Sequence, residues 1–421
     1  MKINSIRGVN DILPGEIEKW QYVERQAHRI FYQYGFREIR LPIFEQTALF
    51  ARGIGDTTDI VEKEMYTFTD RGGDQITLRP EGTASVVRAY IEHKMHHPPG
   101  VAKLFYMGPM FRYERPQAGR FRQFYQIGAE AMGSANPLVD AEIIAMLMDY
   151  LGQLQLKDTE LQINSLGCKN CRPTYRDTLK TAIRAHLGDL CENCRRRFET
   201  NPLRILDCKV ERDKEIAKSL PTTADHLCDP CKSHFSQVQS LLKTGGVPFT
   251  HNPQLVRGLD YYNRTTFEVV AGGLGAQNSV CGGGRYDSLV EEFEGPSTPC
   301  FGFALGVERL VSLLPQECAA ASEPRPDVFI VALGPEAERE SFALAALLRN
   351  AGHNVERDYD AGSMKSQMRK ANQKNSRYVI ILGEDELKSG SFVIKNMATG
   401  EQSQAPKNAV LEKIQKPQAD H

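Results

Sequence analysis

Between Phe111 and Glu130 the chain reads FRYERPQAGRFRQFYQIGAE, and no other stretch limits the local fold so tightly. Arg112 and Glu114 alternate just ahead of a loop containing Pro116 and Gly119, and Arg120, Phe124, Gln126, Gly128 and Glu130 follow. Side chains at i and i+2 share one face of a strand. The spacing therefore predicts an antiparallel hairpin, with Arg112 and Glu114 facing a cleft and Gln126 and Glu130 across from them. Such a hairpin offers guanidinium forks to a phosphate, an aromatic plate to a flat ring and carboxylates to cationic groups. Together these point to a site that joins a nucleotide to an amine-bearing substrate. By spacing alone, the same residues also suit an amphipathic hairpin with a charged solvent face.

The surroundings extend the pattern. Ile17, Trp20, Val23, Ala27, Ile30, Phe31 and Tyr34 fall at helical spacing, predicting a helix over residues 16–34 that stops at Gly35. A second helix is expected over 138–154, followed by the strand LQINSLG. From Cys168 to about Gly245 the pattern becomes cysteine-rich and helical, and strands resume near Val247. PQECAAASEPRP, residues 315–326, reads as a linker. Beyond it strand and helix alternate, predicting a small α/β domain with a mixed sheet. The expected domains are 1–167 with 246–320, an insertion at 168–245, and 327–421.

At 421 residues the chain suits two or three domains. With 52 basic and 53 acidic residues the formal net charge is −1, so overall charge does not argue for nucleic acid and any RNA surface must be local. One local run, GSMKSQMRKANQKNSRY, carries Lys365, Arg369, Lys370, Lys374 and Arg377 without an acidic residue. The opening residues lack the apolar run of a signal peptide and no stretch suits a bilayer span, so the cytoplasm is the expected location. No GxxxxGK[ST] is present, which removes a P-loop site from consideration.

Seven of the ten cysteines lie between positions 168 and 231. They form the pairs Cys168/Cys171, Cys191/Cys194 and Cys228/Cys231, with Cys208 isolated. Two such CxxC knuckles suffice for a tetrahedral structural zinc site. Spacing does not select which two, and reduced thiols packed in a small helical insertion are the alternative.

The hairpin resembles motif 2 of the class II aminoacyl-tRNA synthetases, in which Arg-x-Glu, a loop and Arg-x-x-x-Phe grip ATP. GFALGVERLV, residues 302–311, resembles motif 3, whose signature ends here at Arg309. GFREIRLPIFE, residues 35–45, resembles motif 1, with Pro42 in a strand that packs at the dimer interface in that class. LVRGLDYYNRTTFEVV (255–270) and GGGRYDSLV (282–290) resemble two segments peculiar to the histidyl-tRNA synthetases. IRGVNDILPGE, RPEGTASVVRAY (79–90) and NPLRILDCK (201–209) fit the same family.

That resemblance implies a multidomain α+β and α/β fold. An antiparallel-sheet catalytic domain carries a helical insertion and is followed by a C-terminal α/β anticodon-binding domain. It implies a homodimer that uses ATP with Mg2+, L-histidine and tRNA(His). Arg112 and Arg257 become the expected catalytic clamps at the α-phosphate. Glu114, Arg120, Phe124 and Arg309 complete the ATP site, with Phe124 stacking on adenine and Glu114 reaching its amino group or the metal shell. Glu81, Gly82, Thr83 and Gln126 are expected around the histidine α-ammonium, and Glu130, Tyr261 and Tyr262 around the imidazole. Gly282, Gly283 and Gly284 would let backbone approach the ligand. The alternative is a synthetase-like, histidine-binding regulatory subunit of histidine biosynthesis. Such paralogues typically lack the C-terminal domain and parts of the ATP-gripping signature.

Overall fold

The computed structural model describes residues 3–55, 58, 60–117, 119–272, 278–316, 318 and 325–414. By contacts the chain divides into two compact units, Met1–Ser322 and Glu323–His421. In the first unit the strands are β1 (Arg37–Glu38), β2 (Phe44–Gln46), β3 (Tyr66–Thr69), β4 (Gln75–Leu78), β5 (Ala102–Phe111) and β6 (Gln123–Met132). They are followed by β7 (Thr159–Ser165), β8 (Thr250–His251), β9 (Asn263–Ala271), β10 (Ser279–Arg285) and β11 (Cys300–Gly306). Eight of these form one sheet in the order β1-β5-β6-β11-β10-β9-β7-β8, antiparallel apart from its two edge pairings. A separate three-stranded antiparallel sheet has the order β2-β4-β3.

The large sheet is covered on both faces, and strand alternation decides which residue serves which face. Ile127, Ala129 and Ala131 of β6 join the main core beneath the helices Ile17–Gln33 and Pro137–Gln153. Both helices match their predicted spans to within a residue or two. Trp20, Val23, Ala27, Ile30 and Phe31 bury one stripe of the first helix, as their helical spacing requires. Met132 of β6 and Tyr106 of β5 turn to the opposite face, where they pack with Val86, Val87 and Tyr90 of the helix Thr83–Glu92. Tyr261, Tyr262 and Tyr286 pack on this second face as well.

The cysteine-rich insertion is helical, as expected. Tyr175, Leu179, Ile183, Cys194, Phe198, Ile205, Cys208 and Leu220 form a small core of its own. Its last helix, Asp229–Thr244, belongs elsewhere by packing: Phe235, Val238 and Leu242 enter the main core. An embedded network fixes that helix. Arg285, fully buried, pairs with Asp140 at 2.6 Å and with Asp287 at 3.2 Å, while His234 Nε2 meets Asp140 Oδ2 at 2.9 Å.

The second unit has the mixed sheet foreseen from the alternation of strand and helix. Its strands are β12 (Val328–Ala332), β13 (Val355–Arg357), β14 (Tyr378–Leu382), β15 (Ser391–Asn396) and β16 (Gln402–Pro406). Their order is β13-β12-β14-β15-β16, with the first three parallel and the rest antiparallel. The basic run forms the helix Met364–Gln373, capped by Ser363. Its charge is partly offset in three dimensions, because Lys370 pairs with Asp358 and Asp360, Lys374 with Glu356 and Arg377 with Asp327. Lys365 and Arg369 stay exposed. The expected linker at 315–326 lies largely outside the described residues. Among the described residues no helix is long and apolar enough to cross a membrane.

Candidate active site

Strands β6, β11 and β10, the loop between β5 and β6, and the segment 255–262 enclose a cavity of about 240 Å³. Of the residues expected from sequence, Arg112, Glu114, Arg120, Phe124 and Gln126 of the hairpin line it. Glu81, Thr83, Arg257, Tyr261, Tyr262 and Arg309 line it as well. Four arginines from three distant parts of the chain thus surround one space.

Each guanidinium is held rather than loose. Arg112 Nε donates to the Pro80 carbonyl at 2.9 Å, and its head lies 5.2 Å from the centre of the Phe124 ring. Glu114 sits between Arg120, at 3.0 Å, and Arg112, at 4.0 Å. Arg257 faces Glu268 at 3.5 Å and the Tyr262 ring at 5.8 Å. Burial works against its charge, but Glu268 and Tyr262 outweigh it and raise the Arg257 pKa above the usual arginine value. Arg309 donates to the Ser279 carbonyl.

The inner end of the cavity is acidic and aromatic. Glu81 accepts from the backbone N–H groups of Thr83 at 2.7 Å and Ala84 at 2.8 Å, which also caps the helix Thr83–Glu92. Burial nevertheless pushes its carboxyl pKa up, with those hydrogen bonds opposing. Among the described residues Gln126 Oε1 and Arg257 Nε are buried without a hydrogen-bond partner. Both belong to residues that line the cavity, where an incoming ligand can satisfy them.

Glu130 and Gly82 differ from the other expected residues, since neither is part of the lining. Glu130 lies one layer deeper, 1% exposed, accepting from the Thr83 hydroxyl at 2.7 Å and the Tyr286 hydroxyl at 2.5 Å. Burial lifts its carboxyl to about 8, against the lowering effect of those two bonds. Gly302, facing it across β11, cannot carry a side chain because a Cβ would overlap the carboxylate. The GGG run also differs from expectation. Only Gly282 lines the cavity, and the space it leaves is filled by the Arg257 guanidinium rather than kept for a ligand. Gly283 packs against Gly302 and Phe303, and Gly284 against Thr265 and Thr266.

Two contributors were not singled out from sequence. Tyr286, in the GGGRYD segment, shares Glu130. Glu308, next to Arg309, lines the cavity, accepts from the Tyr125 N–H at 2.9 Å and is pushed by burial to about 7. Their positions within quoted motifs were the available signal.

The arrangement resembles known proteins over its whole length. The pattern of the histidyl-tRNA synthetase family matches residues 8–310, and that of an anticodon-binding domain matches 327–417. A histidine–tRNA ligase of Geobacter metallireducens is 55% identical over 401 residues, covering 95% of this chain and 96% of its own. One from Pelotomaculum thermopropionicum is 54% identical over 407 residues, covering 96% of each. The apo histidyl-tRNA synthetase of Staphylococcus aureus superposes with a TM-score of 0.83 at 40% identity, covering 99% of this chain and 100% of that one.

Proposed function

The chain belongs to the histidyl-tRNA synthetase family, and we propose that the arginine-lined cavity is where it activates L-histidine with ATP before passing it to the 3′ end of tRNA(His). One observation carries this reading: Arg112 and Arg257 enter a single cavity that also holds Glu81, Thr83 and an unsatisfied Gln126 carbonyl.

The reaction brings a carboxylate to the α-phosphorus of ATP, so two anions must meet. Preorganised positive charge lowers that barrier most where charge builds up. Arg112 and Arg257 take the α-phosphate and the attacking carboxylate, and Arg120 and Arg309 the outer phosphates. Phe124, backed by Arg112, stacks on adenine. ATP arrives as its Mg2+ complex, which neutralises the departing pyrophosphate. Glu114 is the lining carboxylate suited to that ion or to the adenine amino group, because its partners are arginine side chains rather than backbone donors. Alignment and charge supply the rate, and no side-chain nucleophile is required.

Histidine is held by acceptors for its ammonium group at Glu81, Thr83 and Gln126, and by Tyr261 and Tyr262 around its ring. Glu130 acts here through Thr83: it accepts the hydrogen bond of the Thr83 hydroxyl, which leaves the Thr83 lone pairs free to serve as an acceptor. A buried polar wall of this kind rejects apolar amino acids of similar size, which would leave it unpaired.

The regulatory-subunit alternative is not favoured. The chain keeps Arg112, Glu114, Arg120, Arg257 and Arg309, carries the second unit, and aligns end to end with histidine–tRNA ligases. ATP–pyrophosphate exchange, run separately with each amino acid, tests the activity. Exchange with histidine alone is expected, and none with histidine would overturn it.

Two further assignments belong to this reading. Cys168, Cys171, Cys228 and Cys231 suit one structural Zn2+ ion. Their sulfurs approach at 3.7 and 3.9 Å across the two knuckles and at 3.8 Å within the first, close to the ~3.8 Å edge of a tetrahedron with ~2.3 Å Zn–S bonds. The backbone fits as well: the Cys168 N–H donates to the Cys171 sulfur at 3.1 Å and the Asn170 N–H to the Cys168 sulfur at 3.4 Å. The assembly is a homodimer through the small sheet, whose β2 takes in only Phe44 and Glu45 of motif 1; Pro42 precedes that strand instead of lying in it.

A further inference from the structure

Cys191, Cys194 and Cys208 do not join the four knuckle cysteines. They converge instead on Asp213, with one donor atom from each of the four residues lying within 4.8 Å of the others. We propose that these four residues bind a second divalent metal ion, with Zn2+ the best match, in a site separate from the knuckle pair.

Three observations support it. Asp213 is fully buried, yet its partners are the Cys191 N–H, at 3.2 and 3.3 Å to its two oxygens, and the Cys208 sulfur at 3.2 Å. No basic side chain pairs with it among the described residues. Thiol hydrogen bonds can satisfy a carboxylate's lone pairs, but they bring no positive charge to offset its burial. A divalent cation does. The sulfur spacing also fits: Cys191 and Cys208 lie 3.9 Å apart, near the ~3.8 Å tetrahedral edge and far from the ~2.0 Å of a disulfide. Finally, Cys194 and Cys208 are both buried in the small insertion core, so the donors are already gathered before any ligand arrives. Thiolate with one carboxylate is a donor set for Zn2+ rather than Mg2+ or Ca2+. On binding, the three thiols give their protons to solvent and the ion takes their place.

The site has a position as well as a composition. The helix Glu192–Thr200 and the turn Pro202–Ile205 lie between Cys191 and Cys208. From this stretch Asn201 Nδ2 donates to Asp260 at 2.8 Å, and Arg204 Nη1 donates to the Gly258 carbonyl at 2.7 Å. An ion here braces the segment that supports the backbone on the C-terminal side of Arg257.

Metal content of the full chain, purified without chelator and reloaded with Zn2+ alone, provides the test. Two equivalents per chain are expected for the natural sequence, one for Cys208→Ala and one for Cys228→Ala. Retention of the full content by Cys208→Ala, or a single equivalent that only Cys228→Ala removes, would overturn the second site. If Cys208→Ala does not fold, alkylation of the natural protein followed residue by residue gives the answer. Cys191, Cys194 and Cys208 are expected to be protected together in the Zn2+-loaded protein and to react together after chelation. Equal labelling rates in the two states would sink the proposal.

Discussion

A single missing methyl group explains how Arg257 enters the cavity. Its guanidinium lies over Gly282, where any Cβ would collide with it. The collision would be with the far end of a flexible side chain, so Gly282→Ala should keep the fold and displace the arginine. Pyrophosphate exchange is expected to slow by about 10²-fold or more, the usual cost of one charge-stabilising donor. Arg257→Ala should behave alike, with the larger part of the loss in kcat rather than in the KM for histidine. Normal exchange in Gly282→Ala would mean that the arginine's place is not set by this contact. Glu130 makes a pH-dependent prediction. Its carboxyl sits at about 8 in the folded protein against 4.5 as its ordinary value. Below pH 4.5 folded and unfolded chains both hold the proton, so there is no difference. Between 4.5 and 8 only the folded chain holds it, and stability falls as pH rises; above 8 the loss is complete. Glu130→Gln removes this slope, so the Tm of the variant should gain on the natural protein from pH 5 to 8 and then run parallel. Curves that stay parallel throughout would contradict the assignment.

Elements joined by long separations were the hardest to read in sequence. Arg112, Glu114, Arg120, Phe124 and Gln126 could be placed together because one hairpin carries them and strand periodicity fixes their faces. Glu130 was legible as a member of that strand, but its depth was not. The Tyr286 that shares its carboxylate lies 156 residues away, and no local pattern encodes such a meeting. The Cys208–Asp213 pairing escaped for a different reason, since an isolated cysteine and a helix-start aspartate have no knuckle spacing to mark them. The same limit hid the network that fastens the helices Pro137–Gln153 and Asp229–Thr244 to β10. Asp140 and Arg285 are both without solvent exposure, and His234 completes the join. Among the described residues, removing Arg285 leaves the buried Asp140 carboxylate with only the His234 ring beside it. Arg285→Ala should therefore lower unfolding free energy by about 3–5 kcal/mol, read from denaturant melts of the full chain. A loss under 1 kcal/mol would show that the pair is not a fastening.

At the scale of the whole molecule, one exposed surface remains to be covered. In the small sheet Phe44 and Tyr66 both stand opposite Leu78, while Gln46 and Phe68 stand opposite Ile76. Side chains directly across an antiparallel pair share a face, so five apolar residues and one glutamine lie side by side. Phe44 is 58% exposed and Phe68 49% exposed, a costly state for two phenylalanines on one patch. A second copy presenting the same patch would cover both, as a two-fold interface requires. The patch also reaches the cavity through the backbone. After β4, the Arg79 N–H donates to the Ile43 carbonyl at 2.9 Å and the Phe111 N–H to the Arg79 carbonyl at 2.9 Å. The neighbouring Pro80 carbonyl holds Arg112. The Tyr113 N–H donates to the Glu64 carbonyl at 2.7 Å, just ahead of β3. Pairing of the sheets would thus brace the strand end that carries Arg112. Sedimentation of the natural chain should give twice 47.2 kDa. Phe44→Arg should shift it toward the single-chain mass and weaken pyrophosphate exchange in step, with partial recovery at high protein concentration. A single-chain mass for the natural protein at tens of micromolar would remove the interface, whereas a dissociated Phe44→Arg with undiminished exchange would remove only its link to Arg112.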